Sequence, residues 1–175
     1  HKGGSNDEER FLQLAADDKG SIRYEGSTKI ETNKWYDVAV VLDNSKSGSE
    51  RIALYVNGVR ETLQLSNGTP DDLKEINFTS DFYIGQSDGK RRLNGAISYA
   101  RIWTKALSDQ QISEQSGKLL SEDKDGMVAN WLFNNGNGNT KTFVSLAGKS
   151  FEAEAANIVS SWKTDPILET STPTE

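Results

Sequence analysis

Tyr99, Arg101 and Trp103 occupy alternate positions of the run Ile97 to Trp103, with Ala100 and Ile102 between them. On a strand this spacing sets two aromatic rings and a guanidinium on one face. Aromatic faces stack on the C–H faces of sugars, and a guanidinium donates to their hydroxyls, so these three are the candidate ligand-binding residues. Ordinary packing competes with that reading, because large aromatics are mostly buried. Trp35, at a strand start, and Trp131 with Phe133 are read as core. Glu152 and Glu154 in FEAEA are the clearest carboxylate pair. A retaining glycosidase needs two carboxyl groups about 5–5.5 Å apart, which strand positions i and i+2 can supply. Here the acids stand between alanines with no third acid in register, and a solvated strand face explains them, so no catalytic residue is assigned. Asp71-Asp72 and Glu122-Asp123-Lys124-Asp125 have turn and helix-cap explanations. No nucleophile and base pair is legible, and GNGN lacks the Lys and the strand-to-helix context of a phosphate loop.

Oxygen ligands for calcium exist in three loops: Asp43, Asn44 and Glu50 in LDNSKSGSE, Asp88 in QSDGK, and the amides of FNNGNGN. None follows an EF-hand spacing, and Asn and Asp populate such turns for conformational reasons, so the metal site is left unassigned and calcium is the one cofactor kept open. The single His is His1 and there is no Cys, which argues against imidazole triads, thiolate sites and disulfides. Twenty basic against 26 acidic residues give a net charge of −6. That excess of acid argues against a nucleic-acid partner, since counterion release requires cations on the protein. No apolar run reaches membrane-spanning length, and no membrane insertion by this chain is expected.

These residues need a scaffold. Residues 1–10 are charged and Gly-rich and residues 164–175 are rich in Pro, Thr and Glu, so both read as flexible segments around one domain, 11–163. Short apolar runs recur between Gly, Asn, Asp and Ser clusters, the pattern of an all-β antiparallel sandwich. FLQLAA and SIRYEG form one hairpin. WYDVAVVLD, with Tyr36, Val38, Val40 and Leu42 on one parity, precedes a strand with Ile52, Leu54 and Val56 on one parity. Asn57-Gly58 is a type I′ turn signal leading into a strand from Val59 to Leu65. About six strands are expected before residue 105, two of them around the QSDGKRR loop. Ser108 and Gln111 then form a capping box for one short helix, with Ile112 facing the sheet and Gly117 at its C-terminal end. MVANWLF and FEAEAANIV add later strands.

Taken in order, KWYDVAVVLD, LYVNGV, FYIGQ and LNGAISYARIWTKALSDQQI resemble the bacterial laminin-G-like (LamG) domains of the concanavalin A-like lectin/glucanase superfamily, over Phe11 to Ile112. Pentraxins and the lectin domain of trans-sialidases share the order more distantly. DGMVANWLFNNGNGNTKTF with Trp162 is similar to the closing segment of such domains in Bacteroides-type multidomain surface proteins. Two departures stand out: the family's opening "aromatic, x, Glu, x, Trp, Val" pattern is not found upstream of Phe11, and Ser98-Tyr99 replaces its Asp-Glu. The resemblance implies a concanavalin A-like jelly-roll β-sandwich with one short helix. It further implies a non-catalytic, lectin-like carbohydrate-binding or adhesion module, excised from an exported bacterial protein and located at the cell surface, outside the cell or in the periplasm. Its expected partners are a glycan or polysaccharide and neighbouring domains of the same protein. A structural or protein-interaction spacer and a glycoside hydrolase are the alternatives.

Overall fold

Every strand pairing among the described residues is antiparallel. A computed structural model describes residues 11–16, 22–69, 83–87, 91–120, 124–133, 142–145 and 152–154. Two compact units emerge, one from residues 1–77 with 106–117, the other from 78–105 with 118–175.

In the first unit, β1 (Phe11–Ala16) pairs with β2 (Ile22–Lys29), placing Leu14 opposite Tyr24. β3 (Val38–Leu42), β4 (Ile52–Val56) and β5 (Val59–Arg60) form a second sheet in that order, and β6 (Gln64–Asn67) returns to the free edge of β2. Burial alternates along β2, so Ile22 and Tyr24 point inward and pack with Ile52, Leu14, Leu42 and Leu63 between the two sheets. The opposite face of β3 and β4 carries Ala39, Val41, Ala53 and Tyr55, and it is covered by Ile112 of the helix α1 (Asp109–Gln115) and by Leu107, which precedes the helix. Burying a side chain such as Ile112 contributes about 1.5–3 kcal/mol.

Local chemistry sets the ends of α1. The Gln111 amide donates to Ser108 Oγ at 3.2 Å and the Ser108 amide to Gln111 Oε1 at 2.9 Å, the reciprocal box expected from the sequence. Gly117 has φ +68°, in the left-handed region that closes a helix. Its amide donates to Asp37 Oδ2 at 2.7 Å, tying the end of the helix to the start of β3. At the β4–β5 turn Asn57 and Gly58 have φ 51° and 77°, as a type I′ turn requires. A Cβ on Gly58 would lie 2.9 Å from Ser116 Cβ, so this turn also fits closely against the helix end.

The second unit contains three antiparallel pairs. These are β7 (Gln86–Ser87) with β8 (Arg91–Arg92), β9 (Tyr99–Trp103) with β10 (Met127–Leu132), and β11 (Thr142–Val144) with β12 (Glu152–Glu154). Its core gathers Ala129 and Trp131 with Ile84, Ala100, Ile102 and Phe133, which makes Trp131 and Phe133 the packing residues expected.

The structure corrects or extends several sequence expectations. The strand expected over Val59 to Leu65 is two strands: the Glu61 amide still donates to the Leu54 carbonyl of β4 at 2.8 Å while its carboxylate reaches β2, and beyond it the chain crosses to continue as β6 beside β2. The Ile52, Leu54, Val56 parity understates β4: all five of its residues are buried, since the strand is covered on both faces. On β3 the packed parity toward α1 is Ala39 and Val41, whereas Val38 and Val40 on the sheet-edge strand are 46% and 50% exposed. Around QSDGKRR the strands are only two residues each, and the strand that follows begins at Tyr99 rather than Ile97. Of FEAEAANIV, the described strand is Glu152–Glu154.

Candidate functional site

The register of β9 against β10 decides which groups share a face. Ala100 lies opposite Trp131 and Ile102 opposite Ala129, facing the apolar cluster, and Arg101 lies opposite Asn130 with Tyr99 opposite Leu132. Tyr99 and Arg101 therefore meet as their spacing required, with the guanidinium carbon 4.1 Å from the centre of the Tyr99 ring. Trp103 lies opposite Met127, beyond an irregularity in the β10 register, and like every residue of β9 it is half-buried. Nothing places Trp103 in contact with Tyr99 or Arg101.

The guanidinium is held in place. Arg101 Nε donates to Asn130 Oδ1 at 3.4 Å and an Nη to the carbonyl of Lys118. Asn130 is fully buried; its amide group donates to the Leu120 carbonyl at 2.7 Å and its backbone N–H to Ser145 Oγ at 2.9 Å. The segment Lys118–Leu120 thus crosses this face and accepts from both side chains. What results is a rigid cation–ring pair set at the border of a buried polar network. Sequence reasoning passed over Asn130, although an amide inside the apolar run MVANWLF signals a buried partner.

The first unit concentrates polar groups that the sequence did not single out. The buried Tyr55 hydroxyl donates to Asp109 Oδ1 at 2.7 Å, and Arg60 lies 3.5 Å from the same oxygen. Burial first, and then the Asp109 carboxylate, push the Tyr55 phenol up to about 12. Beside them opens a surface cleft of about 540 Å³, bounded by the 43–51 segment and by residues 106–111. Glu61 joins the sheets: Oε2 accepts from the amides of Ser27 and Thr28 at 2.7 and 2.6 Å, and Oε1 from the Thr28 hydroxyl at 2.6 Å. Partial burial raises the Glu61 pKa, but the bonds from Thr28 and Ser27 outweigh it and hold the carboxyl below its ordinary value.

For the metal reading, Asp43 Oδ1 accepts from the amide and hydroxyl of Ser45 at 3.0 and 2.6 Å, and those bonds keep its carboxyl more acidic than usual. Arg51 donates to Asn44 Oδ1 at 2.6 Å. Both side chains thus serve the turn. Among the described residues no three His, Cys, Asp or Glu side chains converge. Asp88 and the FNNGNGN amides lie outside the described residues, as do the side chains of Glu152 and Glu154, whose strand pairs Glu154 with Thr142 and Glu152 with Val144.

Antiparallel sheets with, among the described residues, one capped α-helix laid on the β3–β4 face are consistent with a concanavalin A-like β-sandwich. The Laminin_G_3 model, of the Concanavalin A-like lectin/glucanases superfamily, matches residues 4–113, and the chain belongs to that family. The matched span contains the four sequence pieces that carried the resemblance and ends before β10. Among curated proteins and among solved structures, nothing matches the chain. The superfamily name covers lectins and glucanases alike, so chemistry must be argued from the site.

Proposed function

We propose that this chain is a non-catalytic carbohydrate-binding or adhesion module of an exported, multidomain bacterial protein. In this reading the Tyr99, Arg101 and Trp103 strip of β9 holds a glycan while neighbouring domains act on it or anchor it. The observation that carries the reading is the Arg101 guanidinium held 4.1 Å over the Tyr99 ring by fixed acceptors. A pair immobilised in this way loses little side-chain entropy on binding and offers N–H donors beside an aromatic edge. Capture would be passive, the gain to a linked domain being local concentration of the glycan. A glycan panel tests it: binding that falls more than about tenfold in Tyr99→Ala and Trp103→Ala, with cooperative unfolding retained, supports the reading. Uniform silence across the panel removes it.

One observation favours the spacer reading instead. The bonds that immobilise Arg101 also tie the Lys118–Leu120 segment to the sheet, and a residue so engaged serves the fold whether or not a ligand arrives. The two readings part on a single measurement: a spacer leaves Tyr99→Ala with altered stability and no glycan phenotype.

A further inference from the structure

The cleft beside α1 is lined wholly by residues of the first unit, and none of Tyr99, Arg101 or Trp103 is among them. Its volume of about 540 Å³ is within the range of small-ligand sites, roughly 300–1,000 Å³. Val41, Ala53 and Leu107 contribute apolar lining. Around them stand three cations, Lys46, Arg51 and Arg60, and three carboxylates, Asp43, Glu50 and Asp109. Signs so balanced give a selected ion little net attraction, yet they set donors and acceptors side by side over an apolar surface. That is the complement of a pyranose, which presents C–H faces edged by hydroxyls that both donate and accept.

The walls are already fixed. Tyr55 and Arg60 hold Asp109, Ser45 holds Asp43, Arg51 is tied to Asn44, and the Asp43 amide donates to the Arg51 carbonyl at 2.8 Å. A preformed wall lowers the ordering cost of binding. Glu50 lies on an exposed one-turn 3-10 segment, Gly48–Arg51, and Lys46 is exposed on the preceding turn; both can reach a ligand without breaking a bond that supports the fold. We propose that this cleft is a second binding site, taking one to three rings of an uncharged saccharide, with Glu50, Lys46 and the free edges of Asp109 and Arg60 on its hydroxyls. The inference does not rest on the β9 strip.

The test uses the intact chain, isotope-labelled, titrated at millimolar concentration with neutral trisaccharides of glucose, xylose, mannose and galactose and with a galacturonate trimer as the charged counterpart. At least one neutral sugar is expected to shift the amides of residues 43–51 and 106–111. Lys46→Ala with Glu50→Ala is expected to weaken that sugar more than about tenfold, and Tyr99→Ala to leave its affinity unchanged. Shifts absent for every neutral sugar, unchanged affinity in the double variant, tighter binding of galacturonate, or loss in Tyr99→Ala would each overturn the proposal. The last outcome would leave the β9 reading standing, whereas a β9 strip that binds nothing leaves the cleft untouched.

Discussion

The β9 strip and the cleft beside α1 use the same side-chain types to opposite degrees. On β9 the fold already takes part of the cation: Arg101 stacks on Tyr99, bonds Asn130 through Nε and reaches the Lys118 carbonyl through one Nη. At the cleft the buried side of each charged pair supports the fold, as Tyr55 does through Asp109, while Lys46 and Glu50 stand exposed. A strand that shows aromatic and Arg residues at alternate positions therefore reads identically as platform or as latch. The difference lies in how many of its donors the fold has already taken.

The largest expected effect is at the latch. Asn130→Ala removes a fully buried side chain and leaves the half-buried Leu120 carbonyl and Arg101 Nε without that partner, and should lower unfolding free energy by about 2–3 kcal/mol in denaturant titration. A loss below about 0.5 kcal/mol would show that the network is not what fixes Arg101, and would return β9 to the status of an open platform.

Next comes the joint between turn and helix. Gly58→Ala meets both the left-handed φ of 77° and the 2.9 Å approach to Ser116, and a cost of about 1–3 kcal/mol is expected from thermal unfolding. If the variant matches the parent, the helix end is not pressed on the turn and the wall of the cleft is looser than drawn.

Glu61→Gln should cost about 1–2 kcal/mol, since two backbone amides and a hydroxyl lose a charged acceptor. The carboxyl sits below its ordinary value of 4.5 in the folded chain, so its contribution is complete above that pH and is lost as the solution is acidified through the lower folded value. Stability measured from neutral pH downward should fall less steeply in Glu61→Gln than in the parent; parallel curves would refute the assignment.

Tyr55→Phe is the smallest of the four, about 0.5–1.5 kcal/mol, because Asp109 is largely exposed and water can replace the lost donor. The phenol titrates near 12 when folded against 10.0 ordinarily, so its contribution is present below pH 10 and is lost on the way to 12. That alkaline loss should be absent from Tyr55→Phe.

Legibility in the sequence followed the range of the interactions. Ser108 with Gln111 and Asn57 with Gly58 were readable because each motif closes within four residues. The pairing of Tyr99 with Arg101 was readable too, from the two-residue period alone. Glu61 on Thr28 spans 33 residues and Gly117 on Asp37 spans 80, and no local pattern announces either. The two-sided burial of β4 was hidden for a similar reason: alternation in IALYV identifies one packed face, while the second exists only because a helix from beyond residue 105 lies on it. The site was half visible, its residue types on the correct face of the strand, but the segment that crosses that face arrives 17 residues after Arg101.

Helix α1 belongs to the first unit although the strands on either side of it in the chain, β9 and β10, belong to the second. A shortened recombinant piece stopped at residue 105 would lack Leu107 and Ile112 and bare Ala53 and Tyr55 to solvent. One trimmed to the matched span would cut the helix at 113 and discard Gly117, the residue that fastens it to Asp37. Expression boundaries for this family member are best drawn past residue 117.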